Sequence, residues 1–237
     1  MPENPDFITP DQYKQYTAAW EDLITSGDNS LLQQAFQAPN GARLNFLNFS
    51  LDQIVALVTT SGVHSIKARF LLVPESADVS RASLTLFASD TAARDAAEDD
   101  AASLSEYYVP TSAVATTTQT VEPAPGPGTK IPYVEAQSWL TDWVNTNKFN
   151  TEIFTTDSGP LKGFNFEVST FQDPLAAAPP YAEKSLFLNL GIIPDPEPTA
   201  ALVVYIAALG SRTQGSVAGL PIDGAYYDGG QLCPPNH

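Results

Sequence analysis

The feature that most constrains the fold is an ordered set of sequence blocks that occurs twice along the chain. FITPDQYKQYTAAWEDLI near the start is matched by TKIPYVEAQSWLTDWVN, which aligns Trp20 with Trp143. Further on, LNFLNFSL matches FNFEVSTF, IKARFLLVP matches LFLNLGIIP, SLTLFA matches ALVVYIA, and Tyr107–Tyr108 matches Tyr226–Tyr227. One such match arises easily by chance, but five in the same order at nearly constant spacing do not. We therefore interpret the chain as a tandem duplication.

The repeats divide the sequence into two units and a connection. Residues 1–109 form the first unit and residues 131–237 the second. Between them, 110–130 reads PTSAVATTTQTVEPAPGPGTK, whose Thr, Pro and Gly content favours extended chain with little apolar surface to bury. This stretch is predicted to be the linker.

Each unit begins with an amphipathic helix. Thr9 is a suitable N-cap, Pro10 suits the first helical position, and Gln12 is placed to complete a capping box. The apolar residues then recur at helical spacing. They are Tyr13, Tyr16, Trp20, Leu23 and Ile24 in the first unit, and Val134, Trp139, Leu140, Trp143 and Val144 in the second. Core packing is the expected role of both stripes.

The remainder of each unit predicts strands. ARLNFLNFSL and KGFNFEVSTF alternate partly between apolar and polar residues, as strands with one wet face do. LDQIVALVTTSG predicts a short helix ended by Gly62, whereas the prolines of FQDPLAAAPP are expected to shorten or break its counterpart. Two strands joined by a turn follow in each unit. The predicted class is α+β, as two copies of a small helix-plus-antiparallel-sheet unit.

Composition excludes several classes of function. The chain has 237 residues, with 11 Lys and Arg against 27 Asp and Glu, and its net charge of −16 disfavours nucleic acid and anionic lipid. The start, MPENPDFITP, lacks the basic and apolar regions of a secretory signal, and no apolar run approaches the ~20 residues that span a bilayer. We expect a cytoplasmic protein without membrane insertion; a mature secreted domain would share these features.

Residues able to carry catalysis or bind metal are scarce. His64 and His237 are the two histidines, so a Ser–His–Asp or Cys–His arrangement must use one of them, and neither has a counterpart in the other unit. His64 is interpreted as a turn residue before a strand. Cys233 and His237 frame CPPNH, but zinc needs at least three protein ligands and no second cysteine exists. We expect a packed tail, with no cofactor and no metal.

Two further segments are weighed and set aside. RDAAEDDAASLSE, from Arg94, lacks the oxygen spacing of the twelve-residue calcium loop, so a solvated helix or loop is preferred to a cation site. GPGTK, from Gly126, follows a Pro-rich stretch rather than a strand and lacks P-loop spacing. Nucleotide hydrolysis has no support.

The ending AYYDGGQLCPPNH resembles that of a group of small uncharacterised bacterial proteins. Their chains finish in Tyr-Asp-x-Gly followed by Cys-Pro-Pro-x-Cys, and the matching residues here are Tyr227, Asp228, a glycine at 229 or 230, and Cys233 with its two prolines. Where that group has its second cysteine, this chain has His237. The resemblance implies a shared fold and no particular chemistry.

The expected function follows from the duplication. Fusing two copies of a self-associating unit makes their contact intramolecular, which suits a non-enzymatic structural protein that assembles with itself. The alternative is a module that binds a protein or ligand between the units, with Tyr107, Tyr108, Tyr226 and Tyr227 as candidate contacts. A second alternative is a hydrolase with two carboxylates about 5 to 9.5 Å apart.

Overall fold

The computed structural model describes residues 6–38, 41–76, 79–91, 103–115, 133–146, 149–177, 184–193, 198–208, 226–227 and 231–233. Its helices are α1 (Pro10–Ser26), α2 (Asn29–Ala35), α3 (Leu51–Val58), α4 (Tyr133–Asn145) and α5 (Ser169–Ala177), and a 3₁₀ turn spans Thr151–Phe154. Its strands are β1 (Phe7–Ile8), β2 (Leu44–Ser50), β3 (Ser65–Pro74), β4 (Ser80–Ser89), β5 (Tyr107–Tyr108), β6 (Ser112–Ala115), β7 (Thr155–Thr156), β8 (Gly159–Pro160), β9 (Gly163–Glu167), β10 (Lys184–Ile193), β11 (Thr199–Ala208), β12 (Tyr226–Tyr227) and β13 (Gln231–Cys233).

Helix α1 begins as its sequence predicts. The Thr9 side chain accepts a hydrogen bond from the Gln12 backbone, and the Gln12 side chain accepts one from the Thr9 backbone, which completes the capping box. Gly27 ends the helix in the left-handed conformation. Of the predicted apolar stripe, Tyr16 is half-buried and the other four residues are buried. The prediction of an amphipathic first helix is confirmed.

The shorter helices depart from expectation at three points. Helix α2, which Asp28 caps by accepting hydrogen bonds from two backbone amides, was not predicted. Helix α3 ends at Val58, before Gly62. Helix α5 runs through Pro174, so the expectation of a shortened or broken helix is wrong. Burial of Phe171 and Leu175 in the core outweighs the one backbone hydrogen bond that a proline removes.

The strands form two antiparallel sheets and a small β7–β8 hairpin. Sheet 1 has the order β1-β5-β4-β3-β9-β13, and sheet 2 has the order β12-β11-β10-β2-β6. Antiparallel strands together with α-helices give the α+β class that the sequence predicts.

Each sheet contains strands from both ends of the chain. We call the described residues up to Ala115 the first half and those from Tyr133 onward the second half. In sheet 1, β3 of the first half pairs with β9 of the second; in sheet 2, β10 of the second half pairs with β2 of the first. The sheets therefore differ from the expectation that each unit would keep its own sheet.

The segment expected to link the units also contributes to a sheet. Residues 112–115 lie within the predicted linker and form β6, which pairs with β2 in sheet 2. The remainder of that segment, 116–130, lies outside the described residues, as do 94–102 of the acidic stretch. The boundaries at 109 and 131 therefore divide the sequence repeats, but backbone hydrogen bonds between strands connect the segments on either side of them.

One large core lies between elements of both halves. Its buried aromatic members are Trp20, Phe36, Phe49, Phe70, Trp143, Phe149, Phe154, Phe164, Phe166 and Phe171. A second, smaller cluster lies on the opposite face of β3 and contains Tyr13, Leu71, Phe87 and Tyr107. Since successive residues of a strand point to opposite faces, β3 supplies Phe70 to one cluster and Leu71 to the other.

Candidate functional site

The first two candidate tyrosines lie on β5, between β1 and β4 in sheet 1. The Tyr107 ring is buried, stacks on Tyr13 with ring centres 4.2 Å apart, and meets Phe87 edge-on at 5.1 Å. Its observed environment is therefore core packing. Tyr108 is half-buried, and its carbonyl accepts a hydrogen bond from the Thr85 hydroxyl at 2.8 Å. Burial, and then the nearby charge of Glu106, raise the pKa of Tyr108 above its ordinary value.

The other two candidate tyrosines form β12. Tyr226 pairs with Tyr205 and Tyr227 with Val204, both on β11. The place of β12 beside β11 in sheet 2 corresponds to the place of β5 beside β4 in sheet 1. The side chains of Tyr226 and Tyr227 are outside the described residues.

The residues weighed for catalysis and metal binding are His64, Cys233 and His237. His64 is exposed, with its ring Nδ1 2.9 Å from the Gly62 carbonyl, as a turn residue before β3 would be. Cys233 ends β13, where its backbone pairs with Gly163. His237 lies outside the described residues. Within the part of the chain that the structure describes, no three His, Cys, Asp or Glu side chains are grouped as metal ligands.

A pair of buried cations on β3 was not anticipated. Lys67 and Arg69 are each 1% exposed, although basic side chains are seldom fully buried. Arg69 donates from Nη1 to the carbonyls of Ala68 at 3.0 Å and Phe164 at 3.2 Å, and its guanidinium carbon lies 5.8 Å from the centre of the Phe87 ring. Arg69 thus ties β3 to β9 through charge-assisted hydrogen bonds.

The sequence contained a signal for this pair, but the signal was ambiguous. In IKARF, basic residues alternate with apolar ones, which is typical of a strand with one solvated face. The structure instead buries that face. In sheet 2, β10 holds the place of β3 in the strand order, and its neutral residues Phe187 and Asn189 are buried there. The buried cationic pair is therefore a feature of sheet 1.

Two buried side-chain hydrogen bonds join the two halves. The buried indole of Trp20 on α1 donates to the Leu161 carbonyl at 2.9 Å, and the buried indole of Trp143 on α4 donates to the Leu44 carbonyl at 2.8 Å. Leu161 lies just before β9, a second-half strand in sheet 1, and Leu44 begins β2, a first-half strand in sheet 2. The two hydrogen bonds are thus reciprocal.

Cations beside these acceptors strengthen the same junction. Arg43, next to Leu44, donates to the carbonyls of Trp143 and Thr146 at the end of α4, where the helix dipole favours positive charge. Its guanidinium carbon lies 4.2 Å from the centre of the Phe149 ring. Partial burial lowers the pKa of Arg43. On the other side, Lys162 forms a 3.4 Å ion pair with Glu21 of α1.

Among the described residues, no helix is both long and apolar enough to cross a membrane. Comparisons with protein-family models, with curated proteins and with solved structures find no match to this chain.

The contacts described above make the junction between the halves the best-defined candidate site. It consists of the β2–β10 and β3–β9 pairings together with the two tryptophan hydrogen bonds.

Proposed function

We propose that the chain is a tandem duplication whose halves form an intertwined, pseudo-twofold structural unit that assembles with copies of itself. The strand orders support the duplication. Read from β5, sheet 1 runs β5-β4-β3-β9-β13, and sheet 2 runs β12-β11-β10-β2-β6. Apart from β1, each described strand of sheet 1 has a counterpart from the opposite half in sheet 2, so the halves contribute equivalent strands in equivalent places.

The register of the exchanged strands refines the repeat alignment. Leu188 on β10 pairs with Leu47, whereas Ala68 on β3 pairs with Phe164. Ala68 and Leu188 are both the third residue of the matched segments IKARFLLVP and LFLNLGIIP, so their partners Phe164 and Leu47 lie in equivalent places. The sequence alignment of LNFLNFSL with FNFEVSTF had placed Leu44, not Leu47, opposite Phe164. That alignment is three residues out of register, because strands with similar apolar content align almost equally well at several offsets.

The tryptophan hydrogen bonds agree with the corrected register, and they are the single observation that most supports the proposal. Leu161 stands three residues before Phe164, and Leu44 stands three residues before Leu47. The acceptors of Trp20 and Trp143 are therefore equivalent positions of the two halves. Two independent features, strand pairing and side-chain hydrogen bonding, lead to the same correspondence.

The step from duplication to assembly rests on how the chain uses its surfaces. The contact that joins the halves is already satisfied within one chain, so further association needs a second surface. In the described residues, β6 and β13 are the terminal strands beside the exchanged β2 and β9. A terminal strand offers backbone donors and acceptors to another chain. We propose this end of each sheet as the contact between copies.

The test is the mass of the protein in solution. Size-exclusion chromatography with light scattering, followed by negative-stain microscopy, should show defined oligomers between micromolar and millimolar concentrations. Ala113→Lys introduces a charge on the exposed side of β6, and Ser61→Lys introduces the same charge in an exposed turn. We expect the first variant to weaken assembly and the second to leave it unchanged. A strict monomer at every concentration rejects the proposal, and equal assembly of both variants excludes β6 as the contact.

The alternatives have less support. A binding module that uses the four tyrosines needs exposed rings, but the Tyr107 ring is buried among Tyr13 and Phe87. The structure therefore adds no observation in favour of binding at β5. A carboxylate hydrolase needs two acidic groups in a cleft, and none of the contacts reported above for the described residues points to such a pair.

A further inference from the structure

We infer that each half of this chain is a partner for the opposite half of a second copy, so that two chains can exchange halves and form a closed dimer. The inference rests on the proposed two-half organisation and identifies the surface and the partner. The surface is the junction between the halves, and the partner is the same junction of another copy.

The backbone pairing at the junction is continuous on both sheets. Residues 185–189 of β10 pair with 50–46 of β2, and residues 65–69 of β3 pair with 167–163 of β9. In each case the neighbouring strand comes from the other half. A half separated from its counterpart would leave β3 or β10, each a ten-residue strand, without this neighbour.

The side chains at the junction form an interior rather than a surface between two finished domains. Phe36 of the first half lies 5.4 Å from Trp143, 5.3 Å from Phe149 and 5.5 Å from Phe154, measured between ring centres. All four rings are buried. An isolated half would expose this apolar surface, which favours association with any chain that supplies the complementary half.

Further hydrogen bonds join the halves beyond the β2–β10 and β3–β9 strand pairs. Asn29 accepts a hydrogen bond through Oδ1 from the Thr151 backbone amide at 2.8 Å, and the Phe70 amide donates to the Lys162 carbonyl at 2.9 Å. These bonds join residues of opposite halves and depend only on local geometry. They would form equally well between chains, because the same residues meet in the same places.

The choice between one chain and two therefore depends on the connection, residues 116–132. A short flexible linker gives its ends an effective concentration of about a millimolar, which favours pairing within one chain. When the linker is too short to span its ends, that effective concentration falls towards zero and the second copy becomes the better partner. The connection sets the oligomeric state, while the junction supplies the contacts.

The first experiment removes the connection from the full chain by deleting residues 116–132, so that Ala115 is bonded directly to Tyr133 and their Cα atoms must lie about 3.8 Å apart. The control keeps the length and replaces the same residues with glycine and serine. We expect the deletion variant to show twice the molar mass of the control by light scattering, with the same far-UV circular dichroism per residue. A folded deletion variant that remains at the control's mass would overturn the inference.

A second experiment decides the matter if the deletion variant does not fold. A protease site placed between residues 120 and 126 of the full-length chain is cut after folding. The two fragments should co-elute at the mass of the uncut protein and keep its tryptophan fluorescence. Fragments that separate or aggregate would refute the inference. The fragment experiment compares cut and uncut protein at the same concentration, so its result does not depend on whether the intact protein forms larger oligomers. Failure of the assembly proposal is therefore distinguishable from failure of this one.

Discussion

Replacing Trp143 with phenylalanine tests the reciprocal hydrogen bonds most directly. The Trp143 side chain is completely buried, and Nε1 donates to the Leu44 carbonyl at 2.8 Å. Phenylalanine keeps one ring but removes the donor and part of the indole volume. Loss of a donor to a buried carbonyl costs about 1–3 kcal/mol, and the unfilled volume costs about 1–2 kcal/mol more. We expect the free energy of unfolding to fall by about 3 kcal/mol.

Thermal unfolding followed by circular dichroism measures this loss. For a chain of this size, 1 kcal/mol corresponds to a shift of about 2–4 °C in Tm. The expected decrease for Trp143→Phe is therefore about 6–12 °C. Urea titration gives the same free energy independently, provided that the slope with denaturant is unchanged.

Two further tryptophan variants provide the comparison. Trp20→Phe should cost about as much as Trp143→Phe, since its indole donates to the Leu161 carbonyl from an equally buried position. Trp139→Phe is the control, because Trp139 lies one turn earlier on α4 and is half-buried. Substitutions at the surface usually change the free energy of unfolding by no more than about 0.5 kcal/mol. If the losses caused by Trp143→Phe and Trp139→Phe differ by less than this, the reasoning from the hydrogen bond is refuted.

Three other perturbations have defined outcomes. Gly163→Ala adds a Cβ that would overlap the Ala68 carbonyl across β3 and β9, so it should lower the free energy of unfolding by about 3 kcal/mol. Gly27→Ala is the control: its Cβ meets nothing within 4 Å, and its left-handed φ should cost about 1 kcal/mol. Similar losses of both variants in urea titration would contradict this. Thr9→Ala should lower stability by about 1 kcal/mol through loss of the α1 cap, and a Tm equal to wild type would oppose it. Because the pKa of Tyr108 is raised in the folded protein, the unfolded chain loses the phenol proton at lower pH, so the free energy of unfolding should fall as pH rises above about 10. Tyr108→Phe should make this decrease smaller. An unchanged pH dependence of unfolding in the variant would exclude Tyr108 as its source.

The parts of the fold that were predictable are those set by residues close in sequence. Helix α1 begins where Thr9 and Gln12 meet, a contact between residues three positions apart. The burial of Trp20 and Trp143 followed from their place on the apolar stripes. Helix α2 carried a comparable local signal, because Asp28 precedes NSLL and caps it, but a seven-residue helix leaves a weak periodic pattern.

The candidate site was only partly accessible from sequence for a different reason. The alternation of IKARF predicts a strand correctly, yet it cannot indicate whether the basic face meets water or protein. Lys67 and Arg69 are buried by the way the sheet is covered, which no local pattern encodes. The sequence aligns Tyr107–Tyr108 with Tyr226–Tyr227, and in the structure β5 pairs with β4 and β12 pairs with β11.

The exchange of β2 and β9 lay beyond sequence reasoning because the alternative is almost identical chemically. Under the proposed duplication, β3 has two candidate neighbours of similar apolar character, β2 from its own half and β9 from the other. Repetition alone therefore predicts which strands belong together but not from which half each one comes. The acceptors of Trp20 and Trp143 resolve this ambiguity, since each indole donates to a carbonyl of the opposite half. Side chains of α1 and α4 thus add contacts between the halves that favour this pairing beyond what the strands themselves supply.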